Sequence, residues 1–497
     1  MEILDEEQTI APETPAARPV VLLGAAGIVA VGAELALHTW MVNGQPPGLG
    51  IPLAVAIIVV GLTRGGASLG YPSSRRAVAF YVSAIGFASL TAIRSASPLV
   101  AINLLAAIAL LLLAFTAHGS SQALPRFLSG FARAAGRFTA TISLGGFGFL
   151  ARDLHEFGPI PTTRLRRVLT GTLMAVPMLI LFGSLFISAD EVFADAVGRL
   201  FSIRIPDNIG VAIGIAAAIG WLELGALRGI VTPAGLPHQS GDRRSVGATE
   251  AATAMWLINS LFLLFVAFQV FEALATYGDP DVSYANQARH GFFQLCWVAA
   301  IVIVMVLVLD WAIERTGRPR LHRQQLVLVL LTTAILVSAL VRMGLYVDAF
   351  GLTRLRVYTT VFMVWIAFLL IWLTRSVLTG RRHRFAQPAI AGLFVMVLAL
   401  NIINPDAIIA SYNLDHRPRL TAGVDEVYLY DALSPDAVPV IISNIDRLAD
   451  ACDQLRVLDR LPTHRSQDLR SWNLARSRAD GLVANLRQQL DASCQSG

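Results

Sequence analysis

The sequence contains no lysine: all 39 of its basic residues are arginine. That excludes a lysine Schiff base, a phosphate-loop lysine and a lysine general base. Charge of either sign is scarce, at 15% of residues. Cysteine is nearly absent, with Cys296, Cys452 and Cys494 alone among 497 residues. The nine histidines are scattered, and no Cys/His spacing suits a metal. Also missing are G-x-x-x-x-G-K-[ST], a G-x-G-x-x-G after a strand, a G-x-S-x-G elbow and H-E-x-x-H. No cofactor, metal or nucleic-acid partner is expected. The net charge of +5 needs none, because the excess arginine lies in connections between apolar stretches.

What is abundant is apolar surface. The chain is 55% hydrophobic with a mean hydropathy of +0.61, outside the range of soluble domains. Stretches of about 20 apolar residues match a hydrocarbon core of roughly 30 Å at 1.5 Å per residue. About eleven are present, near 19–40, 48–63, 77–93, 97–117, 168–188, 208–228, 251–271, 291–309, 324–346, 357–374 and 386–404. Pro98–Ala117, Ala251–Phe271 and Gly291–Leu309 carry no charge at all. The pattern predicts an all-α, polytopic transmembrane helical bundle whose principal partner is the lipid bilayer.

Arginine in alternate connections orients the bundle. With a cytoplasmic N-terminus, the inner connections hold 21 arginines and the outer ones six: Arg94, Arg199, Arg204, Arg289, Arg354 and Arg356. Eleven spans then leave the C-terminus outside. The 14 residues 138–151 are too short for a span and read as a stretch dipping into the interface. Residues 1–18 are acidic and lack the basic start of a cleavable signal, so the first span reads as a retained anchor.

Three regions follow: an acidic cytoplasmic tail over 1–18, a membrane domain over 19–405 and an extracytoplasmic tail domain over 406–497. The last carries 10 arginines and 13 acidic residues with no span-length apolar run. Two apolar stripes predict a helical hairpin there. One is Val438, Ile441, Ile442, Ile445, Leu448 and Cys452, with a helix opening at Ser434 or Asp436. The other is Trp472, Ala475, Ala479, Leu482, Val483, Leu486 and Leu490. Leu461–Pro462 breaks them apart. A turn beside Cys452 would place Cys494 about 20 residues up the second helix, roughly 30 Å away and too far for a bridge.

Polar residues within spans are the first place to look for function. Glu34 and His38 share one face of the first span, with Arg94 a partner within reach, and Glu223 lies in the sixth. The outer ends of the last five spans gather Glu272, Tyr284, Arg289, His290, Arg342, Tyr346, Asn401 and Asn404, followed by Asp406, Tyr412 and Asn413. Tyrosine there suits an interfacial belt, and the rest would form a polar pocket for a protein or small-molecule ligand. Asn404-Pro405-Asp406 also reads as the start of a short helix.

Several motifs carry a resemblance. They are Ser188-Ala189-Asp190, Ser283-Tyr284-Ala285 through Ala288-Arg289-His290-Gly291-Phe292-Phe293, Val341-Arg342-Met343-Gly344, Asn404-Pro405-Asp406 with Tyr412-Asn413, and Ser434-Pro435-Asp436. Together they resemble bacterial multi-pass membrane proteins classed only as a domain of unknown function, over roughly residues 75–480. The resemblance implies a bacterial plasma membrane location and a shared fold, with no activity attached. Gln294 and Ser411 depart from the acidic residue and the arginine expected at those positions in relatives.

Three functions fit: non-enzymatic binding or sensing at the outer face, transport of a small solute or ion, or a lipid-linked transferase. The transferase needs carboxylates in an outer loop, where Asp190, Glu191 and Asp195 better suit an interfacial helix. Transport is favoured by repeats or paired broken spans, and none is evident. Binding or sensing is the expectation.

Overall fold

The computed structural model describes residues 19–41, 45–68, 72–117, 163–201, 248–275, 292–312, 318–379, 385–416, 425–447, 451–462 and 468–494. Every regular element among them is helical. Seven described helices are long and apolar enough to cross a membrane, and 28–38 and 294–307 are shorter apolar stretches. The expected stretches at 138–151 and 208–228 lie outside the described residues.

The chain divides into two compact units. One comprises 1–130, 397–415 and 424–497, and the other 131–396 with 416–423. The tail thus folds with the first four helices, whereas the sequence pattern placed a boundary at 405.

In the first unit, α1 (Pro19–Met41) packs on α2 (Gly50–Ser68), and α3 (Arg75–Leu90) on α4 (Ser97–Thr116). Ser74 caps α3 by accepting a bond from Ala77 N. Ala77, Tyr81, Ala84 and Ala88 make its buried stripe at helical spacing. Small residues there allow the close approach of α4, which buries Ala107 and Ala114 completely.

The second unit holds α5 (Thr163–Ala189), α6 (Glu191–Phe201), α7 (Ala248–Ala275), α8 (Phe292–Ala312), α9 (Arg318–Phe350), α10 (Arg354–Thr379) and the start of α11 (Ala386–Ile403). Its core contains interlocked rings. Phe186 stacks on Phe265 at 4.0 Å, and Phe182 meets Phe262 edge-on at 4.9 Å. α5 and α7 cross closely at Gly171, where a Cβ would lie 2.6 Å from Glu250 O. α9 ends at Gly351, whose φ of 77° suits the left-handed position after a helix.

The remaining helices return to the first unit: α12 (Pro405–Asp415), α13 (Val438–Ser443), α14 (Ala451–Arg460) and α15 (Leu474–Cys494). The second apolar stripe is one helix from Ala475 onward, with Ala479, Val483 and Leu490 buried, while Trp472 lies in extended backbone ahead of it. The first stripe is not. Asn444 caps α13 after six residues, donating its side chain to Val440 O at 2.9 Å, and a 3-10 turn follows over Ile445–Arg447. Asparagine competes for backbone acceptors in this way and ends helices that apolar spacing alone would continue. Val438, Ile441 and Ile445 are buried all the same.

The helix also opens later than expected, at Val438, with Ala437 before it and no side-chain cap. Pro439 suits its first turn, and Ser434 and Asp436 are engaged elsewhere. Cys452 stands in the first turn of α14, away from the Leu461–Pro462 break, so the separation worked out from a cysteine beside the turn does not apply. The side chains of Cys452 and Cys494 lie outside the described residues.

Candidate functional site

The connection between α3 and α4, residues 91–96, is short and its backbone N–H groups are all engaged. Thr91, Ala92, Ile93 and Arg94 donate their N–H groups back to Ala88, Ser89 and Leu90 carbonyls. Ser95 N and Ala96 N have no such acceptor. They meet the carboxylate of Asp436, at 2.6 and 3.0 Å on Oδ2. Ala96 occupies the capping position of α4, since its carbonyl accepts from Val100 N, yet alanine has no side-chain oxygen to offer. Asp436 supplies the missing acceptor from 340 residues away, with its negative charge at the positive end of α4.

The same carboxylate takes bonds from Ser95 Oγ at 2.8 Å and Ser434 Oγ at 3.2 Å, and its Oδ1 lies 3.4 Å from Arg94 Nη1. Its side chain is 1% exposed. Arg94 makes the complementary contact. Its Nε donates to Asn401 O at 2.8 Å and its Nη2 to the same carbonyl. Within a helix, Asn401 O would accept from the N–H of residue 405, which is proline and has none. Arg94 fills that vacancy and sets a cation at the negative end of α11. Asn401 and Asn103 exchange two side-chain amide bonds, at 2.8 and 2.7 Å, so the buried amides satisfy each other.

Asn404 adopts a left-handed φ of 56°, a conformation asparagine tolerates. Its side chain donates to Asp436 O at 3.3 Å. Asp406, wholly buried in the first turn of α12, accepts from Ser434 N at 2.8 Å. The Asn-Pro-Asp sequence does start a helix as expected, but its two polar side chains hold the Ser434–Asp436 turn.

A second clasp grips the same connection. Asn473 Nδ2 donates to Thr91 O and Arg94 O at 3.0 and 2.9 Å, and Leu474 N to Ala92 O at 2.8 Å. Asn473 also caps α15 through Arg476 N. Arg476, 5% exposed, donates to Pro47 O at 2.8 Å and Ser471 O at 2.7 Å. Burial lowers the pKa of its guanidinium, which Asp480 and Asp436 partly offset. Arg470 donates to Leu35 O at 2.8 Å and is forked on Asp468, and that bond holds the Asp468 carboxyl below its ordinary value. Gly48 lets the 471–472 backbone approach: a Cβ there would lie 2.6 Å from Ser471 O.

The residues singled out in the sequence fall into separate groups. Asn401, Asn404 and Asp406 join Arg94 and Asp436 in the first unit, with Tyr412 and Asn413 half-buried along α12. Glu34 and His38 share a face and bond at 2.7 Å. Arg94 is committed to Asp436 and Asn401, so it is not the partner expected for Glu34, whose charge instead acts on Arg470.

Arg342 and Tyr346 belong to the second unit. Arg342 Nη2 donates to Asp190 Oδ2 at 2.7 Å, and Asp190 caps α6 through Phe193 N at 3.0 Å. Arg356 lies 4.0 Å over the Tyr346 ring and donates to Gly351 O, so this arginine, counted in the sequence among connection residues, is a buried structural group. The Glu272 side chain, Tyr284, Arg289, His290 and Glu223 lie outside the described residues.

Sequence reasoning missed Arg94, Asp436, Asn473 and Arg476 as a set. Asn103 carried a signal, being the one amide in an otherwise apolar run. Among the described residues no cluster of three or more His, Cys, Asp or Glu could hold a metal. The arrangement binds two chain segments to helix ends. Each of the buried carboxylates Asp190, Asp406 and Asp436 accepts structural hydrogen bonds.

Comparison with known proteins yields one match, to the family model described as "Domain of unknown function (DUF4153)", over residues 81–444. No curated protein and no solved structure matches the chain.

Proposed function

Since the chain belongs to the DUF4153 family, whose description carries no activity, we propose a function from the residues themselves: non-enzymatic binding or sensing at one face of a membrane. In this reading the chain has about eleven spans in a bacterial plasma membrane, with the N-terminus cytoplasmic and the tail domain extracytoplasmic. The tail is the receiving element, and the clasp on 91–96 couples it to α4 and α11.

One observation carries the reading. A buried carboxylate of the tail caps α4 while its arginine partner caps α11, so displacing the Ser434–Asp436 turn uncaps α4 and leaves the arginine at the end of α11 without its counter-charge. A ligand binding the docked tail better than the displaced one shifts that equilibrium by its differential affinity. Lipid-linked transfer would need a carboxylate free to react, and the buried Asp190, Asp406 and Asp436 are spent on structural bonds.

Two measurements test the proposal. Single-cysteine labelling in whole cells should reach the tail and not the 381–384 connection. Purified protein screened against lipids, sugars and ions should show a ligand-dependent rise in thermal stability that Asp436→Asn diminishes. A tail shielded from external label, or stabilisation indifferent to Asp436→Asn, would overturn it.

A further inference from the structure

The loop that carries the second clasp also closes a crevice of about 300 Å³. Its walls are Pro52 and Leu53 at the start of α2, Ser89 at the end of α3, Ile93 in the connection that follows, and Trp472 and Leu474 of the tail. The lining is apolar. Its single hydroxyl, Ser89 Oγ, is committed to Ile85 O at 2.8 Å. Besides Ser89 and the indole of Trp472 the lining side chains are aliphatic, which suits a methylene chain.

What surrounds the mouth identifies the occupant. Leu53 is 49% exposed and Ile93 40%, and the exposed face runs on down these helices through Val60, Val78 and Val82. α2 is long and apolar enough to cross a membrane, and water is a poor neighbour for a continuous face of this kind. The tail continues the face. Leu469 is 80% exposed and Leu474 46%, on either side of Trp472. A tryptophan flanked by exposed leucines at the end of a span is the composition of a membrane interface. An apolar mouth in these surroundings suits the edge of a bilayer, where acyl chains are the neighbours at hand.

We infer that this crevice seats an acyl chain of a membrane phospholipid, held between α2, α3 and the Trp472 loop. The inference names a ligand class for the tail's docking face and so rests on the proposed function only in taking that face as the working one. A chain in the crevice packs against Trp472 and Leu474, whose backbones bond Leu49 and Ala92, so the lipid favours the docked tail.

The test uses full-length protein in nanodiscs of phosphatidylethanolamine and phosphatidylglycerol, part of the latter carrying a diazirine in its acyl chain. Photolysis and peptide mapping should place adducts on residues 49–53, 89–93 and 472–474. Ser89→Phe fills the crevice and should cut those adducts about tenfold, as expected for losing contact with roughly two methylene groups, while adducts on α10 persist. Leu53→Trp fills the mouth from an exposed position and should act alike if Ser89→Phe fails to fold. Adducts spread evenly over all exposed apolar helix faces, or undiminished in both variants, would overturn the inference. That failure would leave the cell-labelling and Asp436→Asn results untouched, so it is distinguishable from failure of the proposed function.

Discussion

Replacing Asp436 by alanine removes the acceptor on which the tail and α4 converge. Four hydrogen bonds end on its Oδ2, from Ser95 N, Ser95 Oγ, Ala96 N and Ser434 Oγ, and Arg94 faces its Oδ1. The side chain is 1% exposed, so water does not replace it without opening the turn. A charge-assisted bond contributes about 1.5–3 kcal/mol, but the four share one carboxylate and are not additive. Breaking a buried pair by deleting one partner costs about 3–5 kcal/mol, and that is the figure for tail docking. It corresponds to a rise of roughly 150- to 4,000-fold in the opened population. Leu474 N and Leu49 N report it directly, because their acceptors, Ala92 O and Trp472 O, lie across the tail–loop contact. Hydrogen exchange at these two amides should accelerate by that factor in Asp436→Ala, while amides inside α4 beyond its first turn change little. Asp436→Asn keeps an acceptor without the charge and should fall between. Unchanged exchange at both amides in a folded Asp436→Ala protein would refute the reasoning, since the clasp would then contribute nothing to docking.

The other expectations are briefer. Arg342→Ala should cost about 3–5 kcal/mol by stranding the 3%-exposed Asp190 carboxylate, seen as lost folded protein on size exclusion, and Asp190→Asn in the same background should recover part of it. Gly48→Ala should loosen the tail, because its Cβ collides with the backbone of Ser471 and Trp472 and no flexible side chain can yield; proteolysis between α14 and α15 would show it. Ile445→Asp sets a charge at a position 3% exposed, forfeiting about 1.5–3 kcal/mol of burial before any desolvation, and should make the tail protease-sensitive. Acid should release the Arg470 fork. The folded pKa of Asp468 is lowered first by its side-chain bond with Arg470 and then by Arg470 N. Its contribution is therefore complete above the unfolded value near 3.9 and lost as pH falls through the lower folded one. Exchange at Leu49 N, corrected for its intrinsic rate, should thus rise only below about pH 4.

Apolar length was the most legible feature, because a bilayer-thick run of apolar residues leaves a composition that no neighbouring segment can mask. Ten of the eleven expected stretches coincide with described helices, and the second tail stripe is one helix from Ala475 onward, with Trp472 just ahead of it. The first tail stripe misled because spacing registers which side chains are buried and is blind to a capping residue. Ile441 and Ile445 are both buried, yet Asn444 breaks the helix between them.

The clasp was hidden for a different reason. Its bonds join residues more than 300 positions apart, and many of its donors and acceptors are backbone groups, which leave no trace in residue type. Part of it was nevertheless derivable. A proline four residues after Asn401 deprives that carbonyl of its helical donor, and such a group, once buried, needs another. Ala96 before Ser97-Pro98 is the mirror case, a helix start with no side chain able to cap it. The first vacancy asks for a cation and the second for an anion, since they lie at opposite ends of helix dipoles. Arg94 and Asp436 answer those two demands and neutralise each other at 3.4 Å. The pairing of tail and span ends is thus the resolution of two local defects, each too costly to bury alone, and it explains why the tail folds with the first four helices.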